Sequence, residues 1–179
     1  MPQIKKATFK KISSLNLEVK RGSKDLEDLD LNFFPFPKST NLIDTLIRYF
    51  KLEDDIVLDF FSGSATTAHS VMKLNSEDNG NRKFICVQLP EETDKKSEAY
   101  KNGYKNICEI GKERIRRAGE KIIEDNSDKD LSNLDIGFKV LKLDSSNIKK
   151  WDSNFDNVEK TLEDMIDNIK SDRTEEDLV

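Results

Sequence analysis

A chain of 179 residues with 35% hydrophobic and 36% charged side chains can bury one moderate core, and its charge content predicts solvated helical faces and polar ends. The formal charge of −5, from 30 Lys and Arg against 35 Asp and Glu, argues against a surface that is a nucleic-acid footprint throughout. No apolar run approaches the roughly 20 residues of a membrane span, and the opening "MPQIKKATFKK" has no hydrophobic signal core, so a soluble, cytoplasmic protein without membrane contact is expected.

Residues 1–34 mix Lys, Ser, Asp and Leu without a sustained period and read as an irregular lead-in, in which "RGSKDLEDLDL" carries only a weak helical pattern. "PFPKSTNLIDTLIRYF" changes character. Ser39 or Thr40 can cap a helix over about 40–51 whose Leu42, Ile43, Leu46, Ile47 and Phe50 recur at helical spacing. "DDIVLDFF" is short, continuously apolar and β-branched, the pattern of a central strand buried on both faces. A helix over Thr66 to Leu74, the turn "SEDNGN" and a second strand in "RKFICVQL" complete a βαβ unit. "SEAYKNGYKNICEIGKERIRRAGEKIIED" predicts a long helix with Ile107, Ile110, Ile115 and Ile122 on its apolar stripe and an interruption near Gly103. "IGFKVLKL" predicts a third strand, and Val158, Leu162, Met165 and Ile169 predict an amphipathic helix before the polar tail "SDRTEEDLV".

Strands alternating with helices predict an α/β fold, a partial doubly wound parallel sheet with helices on both faces. The expected organisation is a lead-in over 1–34, an α/β domain over 35–152 and an amphipathic helix with its tail over 153–179. Trp151 and the last helix read either as core cover or as a partner surface. Charge is uneven: Lys95 to Lys121 is basic, and the chain from Glu124 onward is acidic. A solvated helix face explains the basic run more simply than a phosphate-facing surface. Cys86 and Cys108 lack metal-ligand spacing and read as reduced packing residues, and no metal site is visible. His69, the sole histidine, reads as a packing or surface residue with no catalytic role.

The chemistry gathers in "IVLDFFSGSATTAHSVMKLN". In a parallel sheet the ligand crevice lies beyond the carboxyl ends of the strands, so Asp59 projects into it. Gly63, between Ser62 and Ser64, permits a tight turn and close backbone approach, and a helix starting at Thr66 turns unpaired amides toward the same crevice. Such a helix start attracts an anion. An acid beside amides suits a zwitterion, with Asp59 near an ammonium and the amides near a carboxylate. A phosphate loop would need a Gly-Lys-Ser/Thr ending and a dinucleotide fingerprint its own glycine spacing; both are missing. An ordinary strand-turn-helix, with Asp59 and Thr66 merely capping, remains open on spacing alone.

"DFFSGSATTAHSVMKLN" closely resembles the S-adenosylmethionine-binding motif of bacterial amino-methyltransferases acting on DNA, Asp-x-Phe-x-Gly-Ser-Gly-Thr-Thr. Asp59, Phe61, Gly63, Ser64, Thr66 and Thr67 match it, and Ala65 replaces the second glycine. Phe60, "NRKFICVQLPEE" and "GFKVLKLDSSNIKKWD" look like the modification subunits of type III restriction systems, a resemblance covering about 30–152. "FPFPKSTNLIDTLI" resembles the segment that precedes the cofactor motif in that class and packs beside the methionine end of the ligand; Phe36, Pro37, Lys38 and Ser39 are the matching positions. Ser62 lies inside the loop so defined. Gln88, where many cofactor folds place an acid on the ribose hydroxyls, reads as a ribose contact, with Glu91 or Glu92 assisting, or as strand-end packing. Asp144 reads as a turn cap rather than a contact to the adenine end of the cofactor.

The resemblance implies a Rossmann-like S-adenosylmethionine-dependent methyltransferase fold and methyl transfer from S-adenosylmethionine to the exocyclic amine of a flipped adenine in duplex DNA. The family holds that base with an Asp-Pro-Pro-Tyr tetrapeptide, whereas prolines occur here only at 2, 35, 37 and 90. The sequence thus resembles the C-terminal, cofactor-binding portion of a permuted adenine methyltransferase, expected to be inactive alone, whether as a truncated form, a split-gene product or a remnant. Implied partners are the remaining part of the methylation subunit, the restriction subunit, duplex DNA in the complete enzyme only, and a second copy in a homodimer. A non-enzymatic ligand-binding or subunit-assembly module retaining the fold is the alternative.

Overall fold

The computed structural model describes residues 21–149, 151, 154, 156, 158–166 and 168–174, the side chains of Asp164 and Met165 excepted. Its elements are α1 (Gly22–Glu27), α2 (Thr40–Tyr49), β1 (Ile56–Asp59), α3 (Thr66–Asp78), β2 (Lys83–Cys86), α4 (Glu98–Lys101), α5 (Ile107–Asp125) and α6 (Val158–Ile166). The chain divides into two compact units, Met1–Gly137 and Phe138–Val179.

In the first unit β1 and β2 pair in parallel, with Ile56 opposite Lys83 and Asp59 opposite Cys86, and α3 makes the crossover between them. This helix is the hub: it packs on both strands and is flanked by α2 and α5. Ile47, Val71 and Leu74 form the buried centre, with Ile43, Leu52, Val57 and Phe84 packed around them. The helix starts follow the capping rule. Ser39 Oγ accepts from Asn41 N at 3.2 Å, and Asn106 Oδ1 accepts from Glu109 N at 3.1 Å. Arg82 anchors the turn before β2, its guanidinium donating to Leu52 O at 2.6 Å and to both carboxylate oxygens of Asp78. Those bonds hold the Asp78 carboxyl below its ordinary range.

Several expectations are corrected. β1 is buried on one face only: Ile56 and Leu58, with Ile85 and Val87 on and after β2, are each half or more exposed. The described residues form the α/β part of the expected fold, two parallel strands joined through α3, and among them no further strand pairs with these two. Residues 136–143 form no strand; a strand needs a hydrogen-bonded neighbour, and among the described residues none pairs with them. The lead-in contains α1, whose six residues are too few to establish a helical period but which, with the turn after it, buries Leu26, Leu29 and Leu31. Helix α3 runs to Asp78, past the predicted Leu74 and into the predicted turn, before Asn79 ends it in the left-handed conformation.

The long helix is interrupted as expected, α4 ending in a turn where Gly103 has φ of +92°. In the second unit α6 stops at Ile166, and Ile169 pairs with Ile148 in an antiparallel bridge held by Lys149 N to Asn168 O at 2.7 Å and Lys170 N to Asn147 O at 2.9 Å. The residues predicted irregular over 1–20 and the last five of the polar tail lie outside the described residues. No described helix is long and apolar enough to cross a membrane.

Candidate functional site

The site is the turn between β1 and α3. Asp59 ends β1, and its carboxylate is bound from two sides: Oδ2 accepts from Thr67 Oγ1 at 2.6 Å and Oδ1 from Phe61 N at 3.2 Å. Asp59 therefore ties the strand end to the helix start while remaining at the carboxyl edge of the sheet. The turn is stitched to the extension of β2, because Val87 N donates to Asp59 O at 2.8 Å and Ser62 N to Val87 O at 3.2 Å. Gln88 Oε1 accepts from Gly63 N at 2.8 Å, and its amide nitrogen donates to Leu89 O.

Two turn residues occupy left-handed backbone, Gly63 at φ of +51° and Ala65 at +59°. Gly63 adopts it freely; Ala65, standing where the motif has glycine, does so against the steric preference of a Cβ-bearing residue. Ala65 is also the N-cap of α3, and no side chain caps this helix. The α3 start thus keeps the partial positive charge of an uncapped helix end.

The segment before α2 meets the turn from the other side. Thr66 Oγ1 donates to Lys38 O at 3.3 Å, and Ser70 Oγ donates to Thr40 O at 3.2 Å. Helix α1 lies directly behind, with Gly22 so close to Pro37 and Lys38 that a Cβ there would fall 2.2 Å from Pro37 O. Ser39 is buried, the Lys38 side chain exposed. Phe36 has a left-handed φ of +54° and a ring 94% exposed, and the Phe61 ring is also largely in solvent. An open groove of about 350 Å³ runs between α2 and β1, apolar along Ile43, Leu46, Phe50 and Val57 and polar at the end formed by Asp59 and Thr67.

The structure thus brings together Lys38, Ser39, Asp59, Ser62, Gly63, Ser64, Thr66, Thr67 and Gln88 around one turn, and leaves Phe36 and Phe61 pointing outward at its rim. The donor set fits a zwitterionic ligand with an aromatic or heterocyclic body: an acid, a helix start that no side chain caps, and exposed rings.

Burial raises the Cys86 thiol to about 11 and also raises Cys108, which fits unreactive packing residues. Among the described residues no group of three or more His, Cys, Asp or Glu could hold a metal. His69 lies one turn along α3 with its Nδ1 buried and unbonded.

Sequence reasoning missed Arg114. Most of the basic run is the expected solvated face, with Lys112 paired to Glu109, Arg116 and Arg117 to Glu113, and Lys121 to Asp125. Arg114 instead has a fully buried side chain, its Nη1 donating to Ser64 Oγ at 2.9 Å and to Thr66 Oγ1 at 2.7 Å. A signal was present: Arg114 falls four residues after Ile110 and four before Ala118, inside the buried stripe of α5.

Known proteins are similar to this chain over about two thirds of its length. Residues 4–118 match the N6/N4 methyltransferase family model, described as DNA methylase. The chain is 44% identical over 121 residues to the type III restriction-modification enzyme StyLTI Mod subunit of Salmonella typhimurium (strain LT2), covering 67% of this chain and 18% of that protein. It is 43% identical over 115 residues to the EcoPI Mod subunit of Escherichia phage P1, covering 63% of the chain and 17% of that protein. The EcoP15I Mod subunit of Escherichia coli is 43% identical over 110 residues, with 62% of the chain and 15% of that protein covered. The chain therefore spans less than a fifth of the length of these relatives.

Proposed function

Because this chain belongs to the DNA methylase family, and because its turn holds an acid, an uncapped helix start and the Lys38–Ser39 backbone around one crevice, we propose that it is the S-adenosylmethionine-binding part of a type III DNA adenine methyltransferase. Bound there, the cofactor would supply an electrophilic methyl group on a sulfonium. The roles of the protein are to bind and orient. Asp59 holds the ammonium of the methionine end, and the start of α3 faces its carboxylate, the Ala65 amide being taken by Ser62 O at 2.7 Å. Phe36 and Phe61 lie at the rim for the body of the ligand, and Pro37, Lys38, Ser39 and Ser62 line the wall. Gln88, bonded to Gly63, stands at the end of β2 toward the ribose. The observation that carries the reading is the convergence of the β1 end, the α3 start and the Lys38 carbonyl on one turn.

The same reading assigns the base pocket and target recognition to the remaining part of the methylation subunit. This sequence has no Asp-Pro-Pro-Tyr, and its prolines at 2, 35, 37 and 90 are nowhere adjacent. The exposed apolar sheet face, Ile56, Leu58, Ile85 and Val87, favours subunit assembly as a second role of the same chain, since parallel sheets are normally covered on both sides. Duplex DNA and the restriction subunit are partners of the complete enzyme.

Calorimetry with S-adenosylhomocysteine tests the assignment. The chain should bind it, and Asp59→Ala should lower affinity by about 1 to 3 kcal/mol through loss of a charge-assisted contact. Equal affinity for variant and parent would reject the site.

A further inference from the structure

Arg114 is a buried cation with an incomplete set of partners. Its side chain has no exposed area, and its Nε and Nη2 are buried without hydrogen bonds. The nearest carboxylate, Asp25, is 3.9 Å from Nη2 and already accepts from Thr40 N at 2.7 Å. Removing a guanidinium from water is costly, and a buried aliphatic residue of similar length would often fit as well or better. What this cation does locally is specific. Nη1 grips the hydroxyls of Ser64 and Thr66, the residues that flank the left-handed Ala65. Three residues earlier on α5, Gly111 lets the helix backbone come against the same turn, where an added Cβ would stand 3.2 Å from Gly63 O and 3.5 Å from Ala65 Cβ. Helix α5 thus supports the turn through a close approach at Gly111 and a polar clamp at Arg114.

We propose that Arg114 is a positioning residue that holds the Ser64–Thr66 turn from beneath and places a buried positive charge behind the α3 start, so favouring a ligand carboxylate there. The proposal rests on the reading of this turn as the cofactor site. Two consequences are separate. As a clamp, Arg114 fixes the direction of the turn amides whether or not a ligand is bound. As a charge, it acts only on the anionic end of the ligand. Burial lowers the guanidinium to about 10, partly offset by Asp25, so it stays protonated at neutral pH.

The test compares the full chain with Arg114→Met and Arg114→Lys, using S-adenosylhomocysteine and 5′-methylthioadenosine, which lacks the amino-acid end. Arg114→Met should bind S-adenosylhomocysteine roughly tenfold more weakly and methylthioadenosine unchanged, and Arg114→Lys should recover part of the loss. Equal weakening for both ligands would overturn the charge role. Hydrogen exchange on the unliganded proteins tests the clamp: the amides of Gly63 to Thr67 should exchange faster in Arg114→Met, with β1 and β2 unaltered, and unchanged turn exchange would overturn it. Should the parent bind neither ligand, the cofactor reading fails while exchange still decides the clamp. If Arg114→Met does not fold, Ser64→Ala, which removes one acceptor and leaves the cation in place, carries the exchange comparison with the same two outcomes.

Discussion

His69 illustrates how a single side chain reports its surroundings. Burial, then the positive charges of Arg114 and Lys73, lowers its imidazolium to about 3 from an ordinary 6.5. A histidine whose folded pKa is depressed is neutral in the folded chain and protonates first in the unfolded one. Its contribution to stability is therefore fully present above pH 6.5 and is lost as pH falls toward 3. At pH 5 the accumulated loss should be about 2 kcal/mol. Asp44 acts in the opposite sense. Burial raises its carboxyl despite the bond from Lys73 Nζ at 2.6 Å, so protonating it favours the folded state and masks part of the histidine effect. Urea unfolding at pH 7.5 and pH 5 should show the loss most cleanly as a difference between the parent and His69→Gln, in which the Asp44 contribution cancels. Parallel pH profiles for the two proteins would show that His69 is solvated in the folded chain. The sequence left packing and surface roles both open for this residue, and the proton exclusion was not legible, because it depends on cations brought near by α5 and by the next turn of α3.

Elements place the site by where they cannot move. Helix α1 touches the segment before α2 through Gly22, where an alanine Cβ would lie 2.2 Å from Pro37 O and 2.5 Å from the Lys38 carbonyl carbon. Both obstacles are backbone, and Lys38 O is itself held by Thr66. Gly22→Ala should therefore cost about 1 to 3 kcal/mol as an overpacking substitution. Gly80→Ala meets the side-chain end of Arg82 rather than backbone; that guanidinium can give only by loosening its bonds to Asp78, and the substitution should cost less than Gly22→Ala, a contrast that thermal melts can read. An undisturbed Gly22→Ala protein would mean that α1 is not seated against this segment. The contrast also explains what the sequence conveyed. Helices α2, α3 and α5 and strands β1 and β2 were readable because apolar spacing or a β-branched run marks each, with a capping serine added at α2. Helix α1 was not, since six residues hold less than two turns. The run at 136–143 misled for a different reason: alternating apolar residues record a capacity to pair, and pairing needs a neighbour that composition does not name. Arg114 was hidden by its own neighbours, because it was read with the charge run and not with the stripe it interrupts.

At the scale of the whole molecule, the features that fit cofactor binding and those that would be needed for catalysis separate. The first unit has a well-buried side, centred on Ile47, Val71 and Leu74, and an opposite sheet face where Leu58 and Ile85 are 58% and 50% exposed. On the proposed reading its polar turn orients a methyl donor, yet nothing in the sequence matches the tetrapeptide that holds an adenine amine in line with it. An unpositioned acceptor forfeits most of a proximity advantage of roughly 7 to 11 kcal/mol, and extruding the base from the duplex costs a few kcal/mol more. The formal charge of −5 offers no compensating attraction for the phosphate backbone. The chain alone, incubated with tritiated S-adenosylmethionine and mixed-sequence duplex DNA, should therefore incorporate no methyl groups above background. A companion chain carrying Asp-Pro-Pro-Tyr and the recognition region should restore incorporation, and Asp59→Ala should then reduce it by the factor that calorimetry gives for the cofactor. Incorporation by the isolated chain would mean that a base pocket exists among residues assigned here to cofactor binding and packing. The open groove beside Asp59 and Thr67 would be the first place to look for it, because it adjoins the turn.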